Sequence, residues 1–380
     1  MLKINAPQFK KLLIGQSVFK NNIIPVIEDK FIREIPVKGR FFYSLQNSPE
    51  LPSIHSNIIN DILNKIEINN SACAYVSKKS YLDFFTSHIG NFNFVRFDIR
   101  NFFHSIDAVK LKEMLSNYFE DDYIDIERKQ LIIDSFMNLV TYKLPPSSKN
   151  KAQRGDVILP IGFATSPIIS NIYMRDFDIK IQEYCIRLNI NYSRYADDML
   201  FSSGSGSEFI FSDSFMKEVA ILLGLKGLHL NTKKTVKRKH TISLNGYTIS
   251  NNNALGMKNT PAFEFRISNK KLYILKKFIH LSMMENINSR KIMEKLFSFN
   301  LKNQKFLYPP KDKFIESYCH TLLVNKIIGY RSYLISIIKY STKNNVCNDS
   351  MIEKYTKLLN ALDAYLDKNP CPVHSKVDKS

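Results

Sequence analysis

Two adjacent aspartates, Asp197 and Asp198, lie inside the otherwise apolar segment SRYADDMLFS, which runs from Ser193 to Ser202. The residues on both sides alternate as in β-strands, so the pair is predicted at the tip of a β-hairpin. Paired acids are common in solvated turns, because Asp tolerates tight turns. Adjacent carboxylates also repel each other, and a divalent cation between them relieves the repulsion. A third acid elsewhere in the chain decides between a solvated turn and a metal site.

Asp98 is the candidate for that third acid. It lies in NFNFVRFDIRNFFHSID, residues 91–107, where apolar and polar residues alternate. The alternation predicts a strand with one apolar face and with Asp98 on the polar face. If this strand and the hairpin are neighbours in an antiparallel sheet, Asp98 meets Asp197 and Asp198. Three carboxylates around two Mg²⁺ ions suit phosphoryl transfer, so we interpret these residues as metal ligands.

Other local patterns predict an alternating arrangement of helices and strands. Strands are expected around Val236 and in SLNGYTIS, and from about residue 260 the pattern becomes helical and basic. The polar segment after about residue 343 is expected to be loosely ordered. Three helices are predicted from start and stop signals: one capped by Ser105 and reaching Tyr118, one beginning at Thr165 or Ser166 before Pro167, and one from Phe215 to about Gly224.

Composition indicates a globular protein. The chain has 380 residues, of which 44% are hydrophobic, and this is enough for two or three subdomains. The sequence has neither a signal-peptide pattern nor an apolar run of membrane-spanning length, so a cytoplasmic protein without a membrane partner is expected. Its five scattered cysteines are expected to be reduced thiols.

The formal net charge of +19 indicates a polyanionic partner. The competing interpretation is a coding bias, since the chain is rich in Lys, Asn and Ile, and lysine-rich surfaces also keep proteins soluble. One basic run has no acid within it, and such a run repels itself unless it faces phosphates or solvent. Its members are Lys226, Lys233, Lys234, Lys237, Arg238 and Lys239.

Taken together, these segments resemble the motifs of reverse transcriptases, and the resemblance covers roughly residues 35–255. The palm motifs occur in order as FDIRNFF at Phe97 to Phe103, LPIGFATSP at Leu159 to Pro167, and YADD at Tyr195 to Asp198. Three further segments are similar to the fingers motif, the lysine motif and the primer grip: KGR at Lys38 to Arg40, GLHLNTKKT at Gly227 to Thr235, and LNGY at Leu244 to Tyr247. With these motifs present, a solvated turn no longer explains Asp197 and Asp198.

The resemblance implies an α+β fold of the right-hand polymerase type, with an antiparallel palm sheet and a helical thumb. The expected domains are fingers at 1–96, a palm at 97–255 with an interleaved fingers segment at about 120–158, a basic helical thumb at 256–342, and a C-terminal extension at 343–380.

The resemblance also implies roles for individual residues. Two Mg²⁺ ions, with Mn²⁺ as an alternative, would be held by Asp98, Asp197 and Asp198 and by the backbone of Ile99. Lys234 is a candidate general acid for the departing pyrophosphate; the alternative is that it is one more lysine in a basic strand. The residues implied at the incoming dNTP are Lys38, Arg40, Ile99, Arg100, Asn101, Phe102, Phe103 and Gly162, with the amides of Ile99 to Phe103 around the phosphates. Those implied at primer and template are Tyr195, Gly246, Tyr247, Lys270, Lys271, Lys276 and Lys277.

Two positions bear on specificity. Phe103 stands where the resemblance places an aromatic gate beneath the incoming ribose, so the product is expected to be DNA; the alternative is that Phe102 and Phe103 are both core residues. Ile161 replaces the Gln that many members carry, which makes the chain more similar to bacterial defence-associated and abortive-infection reverse transcriptases than to retron or intron enzymes.

The main functional hypothesis is RNA-directed DNA synthesis on a structured noncoding RNA in antiphage defence. The expected partners are this RNA, dNTPs, the DNA product, and either a partner protein or further copies of the chain. Three alternatives stay open: a retron-type enzyme that makes RNA-linked DNA, a template-independent or protein-primed DNA polymerase, and an RNA-binding scaffold with a vestigial site.

Overall fold

The computed structural model describes residues 3–13, 27–37, 39–48, 50–127, 129–252, 263–284, 287–301, 304, 306 and 309–370. The chain divides into two compact units, Met1–Lys239 and His240–Ser380. Across the described ranges, none of the helices combines the length and hydropathy needed to cross a bilayer.

The first unit contains seven helices and ten strands within the described residues. The helices are α1 (Ala6–Leu13), α2 (Leu51–Asp61), α3 (Asp83–Thr86), α4 (Ala108–Ser116), α5 (Ile132–Val140), α6 (Ser166–Arg187) and α7 (Asp213–Leu225). The strands are β1 (Ile32–Val37), β2 (Arg40–Leu45), β3 (Asn93–Asp98), β4 (Tyr123–Asp125), β5 (Gln130–Leu131), β6 (Tyr142–Lys143), β7 (Val157–Ile158), β8 (Asn191–Tyr195), β9 (Asp198–Ser203) and β10 (Val236–Lys239).

The central sheet of this unit has the strand order β10-β3-β9-β8, and all its pairs are antiparallel. The prediction that the strand of Asp98 adjoins the aspartate hairpin is therefore confirmed. The predicted alternation on β3 holds, since Arg96 and Asp98 share the face opposite Phe97, but this polar face is not exposed: five of the six residues are buried, Asp98 among them. Phe97 packs against Phe201 of β9 and Phe215 of α7, with ring centroids 5.6 and 6.4 Å apart.

The first residues of two helices show which local sequence signals determine where a helix begins. Helix α6 begins at Ser166 with Pro167 in its first turn, as predicted, although the side chain of Thr165 makes no capping bond. Helix α4 is capped by Asp107 and not by Ser105, because the Asp107 carboxylate accepts from the amides of Val109 and Lys110. Ser105 instead donates to the Arg100 carbonyl.

The second unit combines a small sheet with helices. Its elements are β11 (Thr241–Leu244), β12 (Tyr247–Asn251), β13 (Phe263–Ile267), α8 (Asn269–Ser282), α9 (Ser289–Phe297), α10 (Asp312–Asn344) and α11 (Asp349–Lys368). The sheet is antiparallel in the order β11-β12-β13, so a strand precedes the helices expected from residue 260. The expectation of a loosely ordered tail is wrong for α11, where Tyr355, Leu358 and Leu362 are buried.

Candidate active site

The three predicted aspartates lie at adjoining strand ends. The register of β3 and β9 pairs Asp98 directly with Asp198. Ala196 and Asp197 form the turn between β8 and β9, and the Asp197 carbonyl accepts from the amide of Ile99 at 2.9 Å. Asp98 and Asp198 have side chains that are only 4% and 16% exposed, so this is not a solvated turn.

Cationic and amide side chains surround Asp98. Arg96 Nη2 donates to Asp98 Oδ2 at 3.4 Å and also to Asp198 Oδ1. Lys234 Nζ lies 3.2 Å from Asp98 Oδ2, and Asn231 Nδ2 donates to Asp98 Oδ1 at 3.0 Å. Lys234 was predicted near the acids, whereas Arg96 and Asn231 were not. The spacing of Arg96 and Asp98 could have revealed Arg96, because residues two apart on a strand share a face.

Both turn acids are costly to ionise where they lie. Burial raises the pKa of Asp198 to about 6, although the Arg96 charge opposes the shift. Burial also raises the pKa of Asp197, and the charge of Asp98 adds to this effect. A cation near these carboxylates would stabilise their ionised forms, because opposite charge favours the charged state.

The donor set suits a hard divalent cation, since Mg²⁺ is bound by carboxylate oxygens. As the side chains stand, no three acids, histidines or cysteines among the described residues are grouped so that they could hold one ion. Arg96 occupies one oxygen of Asp198, so a cation would compete with this guanidinium. The metal-binding role of the three aspartates stays a prediction.

A cavity of about 440 Å³ opens beside Asp197. This volume lies in the range of small-molecule sites. Among the residues predicted at the incoming nucleotide, four line it: Arg40, Asn101, Phe102 and Phe103. Tyr75 also lines the cavity and was missed, since no motif in the sequence marked it.

Phe102 and Phe103 have different environments. Phe102 is 3% exposed and belongs to the core, whereas Phe103 is partly exposed and only packs against that core. The Phe103 ring meets Tyr75 edge to face, with the centroids 6.4 Å apart. Tyr75 has a φ of +58°, a left-handed conformation that non-glycine residues rarely adopt. Phe103 is therefore more exposed at the cavity than Phe102. The role of Phe103 as a gate against ribonucleotides stays a prediction.

The predicted phosphate cradle needs a correction at its first two residues. The Ile99 amide donates to the Asp197 carbonyl and the Arg100 amide to the His229 carbonyl, each at 2.9 Å. These two amides are used in holding the strands together and are not available to phosphates. The prediction remains for Asn101, Phe102 and Phe103, and for the Ile99 carbonyl at a metal.

Gly162 is required by packing within the protein. Its φ is +118°, and a Cβ there would lie 2.5 Å from the backbone oxygen of Tyr43. Neighbouring Ile161 accepts from the Tyr43 amide at 2.7 Å and lines the cavity. The close approach that the glycine allows is thus to β2, and a role at the nucleotide stays a prediction.

The basic run is partly neutralised by acids distant in sequence. Lys226 pairs with Asp176 at 2.9 Å, Lys234 with Asp98, and Lys239 with Glu208 at 2.6 Å. The prediction that this run faces only phosphates or solvent is therefore wrong for these lysines. Lys38 lies outside the described residues.

The predicted primer and template residues divide between the two units. In the first unit, Tyr195 packs edge to face on Tyr81 at 4.6 Å. In the second unit, Gly246 turns between β11 and β12 at a φ of +91°, and its carbonyl accepts from Tyr333 Oη at 2.5 Å. Tyr247 is buried there against Tyr333.

The four lysines of α8 also differ from one another. Lys271 Nζ lies 3.5 Å from the centroid of the Tyr333 ring and is half-buried. Lys277 Nζ contacts Tyr273 Oη at 2.9 Å, whereas Lys270 and Lys276 are exposed. Only the last two present their full charge to solvent.

Comparison with known proteins gives a family match over residues 49–249, just over half of the chain, to reverse transcriptase (RNA-dependent DNA polymerase). Two relatives are the retron Ec83 and Ec73 reverse transcriptases of Escherichia coli, at 29% and 30% identity. The matches cover 56% and 43% of this chain, and 65% and 50% of these relatives, so the chain spans less than two thirds of either. A solved telomerase from Candida albicans aligns at 13% identity over 91% of this chain and 65% of its own, with a TM-score of 0.43 that supports no inference.

Proposed function

This chain belongs to the reverse transcriptase family, and on that premise we propose that it synthesises DNA on an RNA template. The family match confirms the resemblance and the α+β polymerase fold expected from it. One observation carries the proposal: the β3–β9 register brings Asp98 beside Asp198 while Asp197, at the same turn, lines a nucleotide-sized cavity. Acids at strand ends beside such a cavity are what two-metal phosphoryl transfer requires.

The proposed chemistry assigns the metal to the three aspartates. When bound, two Mg²⁺ or Mn²⁺ ions would lower the pKa of the primer 3′-hydroxyl and neutralise charge on the triphosphate. Arg40 lies at the cavity and adds a positive charge for the phosphates. Lys234 Nζ lies 3.2 Å from Asp98 Oδ2 and is the proposed proton donor to the leaving pyrophosphate.

The proposed template is a structured noncoding RNA. The second unit has 22 basic and 10 acidic residues, a formal net charge of +12. Such a charge suits binding to the phosphates of an A-form helix.

We also propose the domain limits of the polymerase. The fingers are assigned to residues 1–96, the palm to 97–255 with an interleaved fingers segment at about 120–158, the thumb to 256–342 and an extension to 343–380. The proposed biological role is bacterial antiphage defence.

Asp197→Asn tests the polymerase proposal. The variant should lose about 1,000-fold or more of dNTP incorporation on a primed RNA, because it removes one charge from the metal ligands. Asp176→Asn is the matched control, since this acid is 56% exposed and pairs only with Lys226 in the contacts described above. Full incorporation by Asp197→Asn, or by the wild type in excess chelator, would contradict the proposal.

Product analysis separates the alternatives. DNA that depends on added RNA and copies its sequence supports templated synthesis, whereas DNA made without a template supports the untemplated polymerase. DNA covalently joined to RNA would favour the retron-type alternative, and two of the relatives are named retron reverse transcriptases. Sequencing RNA that copurifies with the protein then identifies the template.

A further inference from the structure

Arg194, the next-to-last residue of β8, has the largest side chain among the fully buried residues. Its guanidinium binds Asp178 of α6 through two parallel hydrogen bonds, Nε to Oδ1 at 2.8 Å and Nη2 to Oδ2 at 2.6 Å. Tyr192 Oη donates to the same carboxylate at 2.8 Å. The remaining nitrogen, Nη1, donates to the Ala196 carbonyl at 3.1 Å.

The bond to Ala196 links this buried pair to the acidic turn. Ala196 has a φ of +55°, a left-handed conformation that non-glycine residues rarely adopt and that the surrounding structure must hold in place. Its carbonyl belongs to the peptide unit that precedes Asp197. The peptide unit that follows Asp197 is held as well, because its carbonyl accepts from Ile99. Both backbone dihedrals of Asp197 are thus restrained, one by Arg194 and the other by Ile99, the residue that follows β3.

Stability alone does not explain a buried ion pair here. Replacing such a pair by apolar residues of similar volume is often neutral or stabilising, because the desolvation cost offsets the attraction. What an apolar pair cannot reproduce is the donor to the Ala196 carbonyl. We propose that Arg194, oriented by Asp178, is a positioning residue that fixes the direction of the Asp197 carboxylate for metal binding. This inference rests on the proposed polymerase function.

The main test is the double variant Arg194→Met/Asp178→Leu, which removes both charges and the donor. We expect thermal unfolding that stays cooperative but occurs at a lower temperature, because Tyr192 Oη loses its acceptor, together with about tenfold weaker Mn²⁺ binding, measured by electron paramagnetic resonance of the free ion. The turnover number for dNTP incorporation should fall about 100-fold with an unchanged KM for dNTP. Tyr192→Phe is the matched control, since it removes one bond to Asp178 and none to the turn.

Arg194→Lys covers the case in which the double variant does not fold. It keeps the charge beside Asp178 but loses the planar fork that reaches both partners, so it should show the same loss of Mn²⁺ affinity while Tyr192→Phe does not. Wild-type Mn²⁺ affinity in either folded variant, or an equal loss in Tyr192→Phe, would overturn the positioning role. A wild-type protein that binds Mn²⁺ but incorporates no dNTP would instead contradict the proposed function and leave the binding comparison valid.

Discussion

Phe103 is the residue on which the choice of sugar should depend. Its ring is partly exposed at the cavity that Asp197 lines, where it would collide with a ribose 2′-hydroxyl and leave that hydroxyl without a hydrogen-bond partner. Phe103→Ala should therefore admit ribonucleotides, with discrimination falling by about 100-fold or more. Primer extension with labelled dNTPs and rNTPs measures the ratio.

Phe102→Ala is the control for this substitution. Phe102 is buried, so the variant should mainly lose stability, by roughly 3–5 kcal/mol, and keep its discrimination against ribonucleotides. Equal discrimination by the wild type and Phe103→Ala would exclude the gate.

His88 should make the folding stability depend on pH. Its ring is fully buried between two hydroxyls, with Nδ1 2.6 Å from Ser202 Oγ and Nε2 2.8 Å from Ser193 Oγ. Ser193 donates its own proton to the Phe84 carbonyl, so it accepts from Nε2, and Ser202 can donate to Nδ1. This network fits a neutral ring, and burial lowers the pKa of His88 to about 3 from its ordinary value of 6.5.

The sign of the effect follows from proton binding. Below pH 6.5 the unfolded chain binds a proton at His88 that the folded chain does not, so stability falls as the pH falls toward 3, by up to about 1.4 kcal/mol per pH unit. Denaturant unfolding between pH 7.5 and 4.5 should show a shallower slope for His88→Gln than for the wild type. Identical slopes would mean that His88 is protonated in the folded state.

At the scale of single residues, the sequence predicts where the functional acids lie better than it predicts which residues they or other charged side chains pair with. Alternation and the paired acids were enough to locate Asp98, Asp197 and Asp198 at adjoining strand ends. Arg194 and Asp178 were not found, because a buried ion pair depends on how α6 lies against β8, which local patterns do not encode. The ion pairs of Lys226 with Asp176 and of Lys239 with Glu208 were missed for the same reason.

Among the elements, α8 offers a test of RNA binding. Lys270 and Lys276 are exposed on this helix, whereas Lys271 lies against the Tyr333 ring. Replacing Lys270 and Lys276 together by Gln should weaken RNA binding and lower the slope of log affinity against log salt, by about 0.9 for each lost phosphate contact. Binding titrations at salt concentrations between about 50 and 200 mM measure this slope.

Two controls accompany the lysine test. Lys357→Gln changes an exposed lysine that is already paired with Glu353 at 2.6 Å, so the slope should stay the same. Lys271→Gln should act mainly on stability, since it removes a cation from the face of Tyr333. An unchanged slope in the Lys270 and Lys276 variant would assign these lysines to the solvated surface.

Helices with strong start signals or regular apolar spacing in the sequence were predicted. Features that depend on tertiary packing were not. Pro167 in a first turn and the apolar spacing of α7 were sufficient for their helices. The polar composition around α11 concealed a narrow apolar stripe, in which Tyr355, Leu358 and Leu362 are buried. The Ser105 cap was wrong because Asp107, two residues later, offers a carboxylate to the same helix start.

For the whole molecule, the family could be predicted from the order of the motifs, and the match over residues 49–249 lies within the range where the resemblance was seen. The division of the chain into two compact units after Lys239 could not be predicted. Only His240, with a φ of +67°, separates β10 from β11, so no linker composition marks the boundary.

The position of β3 in the middle of its sheet has a consequence for synthesis of the protein on the ribosome. Both of its neighbours, β9 and β10, come later in the chain, and the pairing of Asp98 with Asp198 spans about 100 residues. At translation rates of about 5–20 residues per second, this apolar strand therefore waits roughly 5–20 s with both edges open. The nascent chain is most exposed to aggregation during that interval, and its yield should depend on chaperones that shelter the strand until the hairpin emerges.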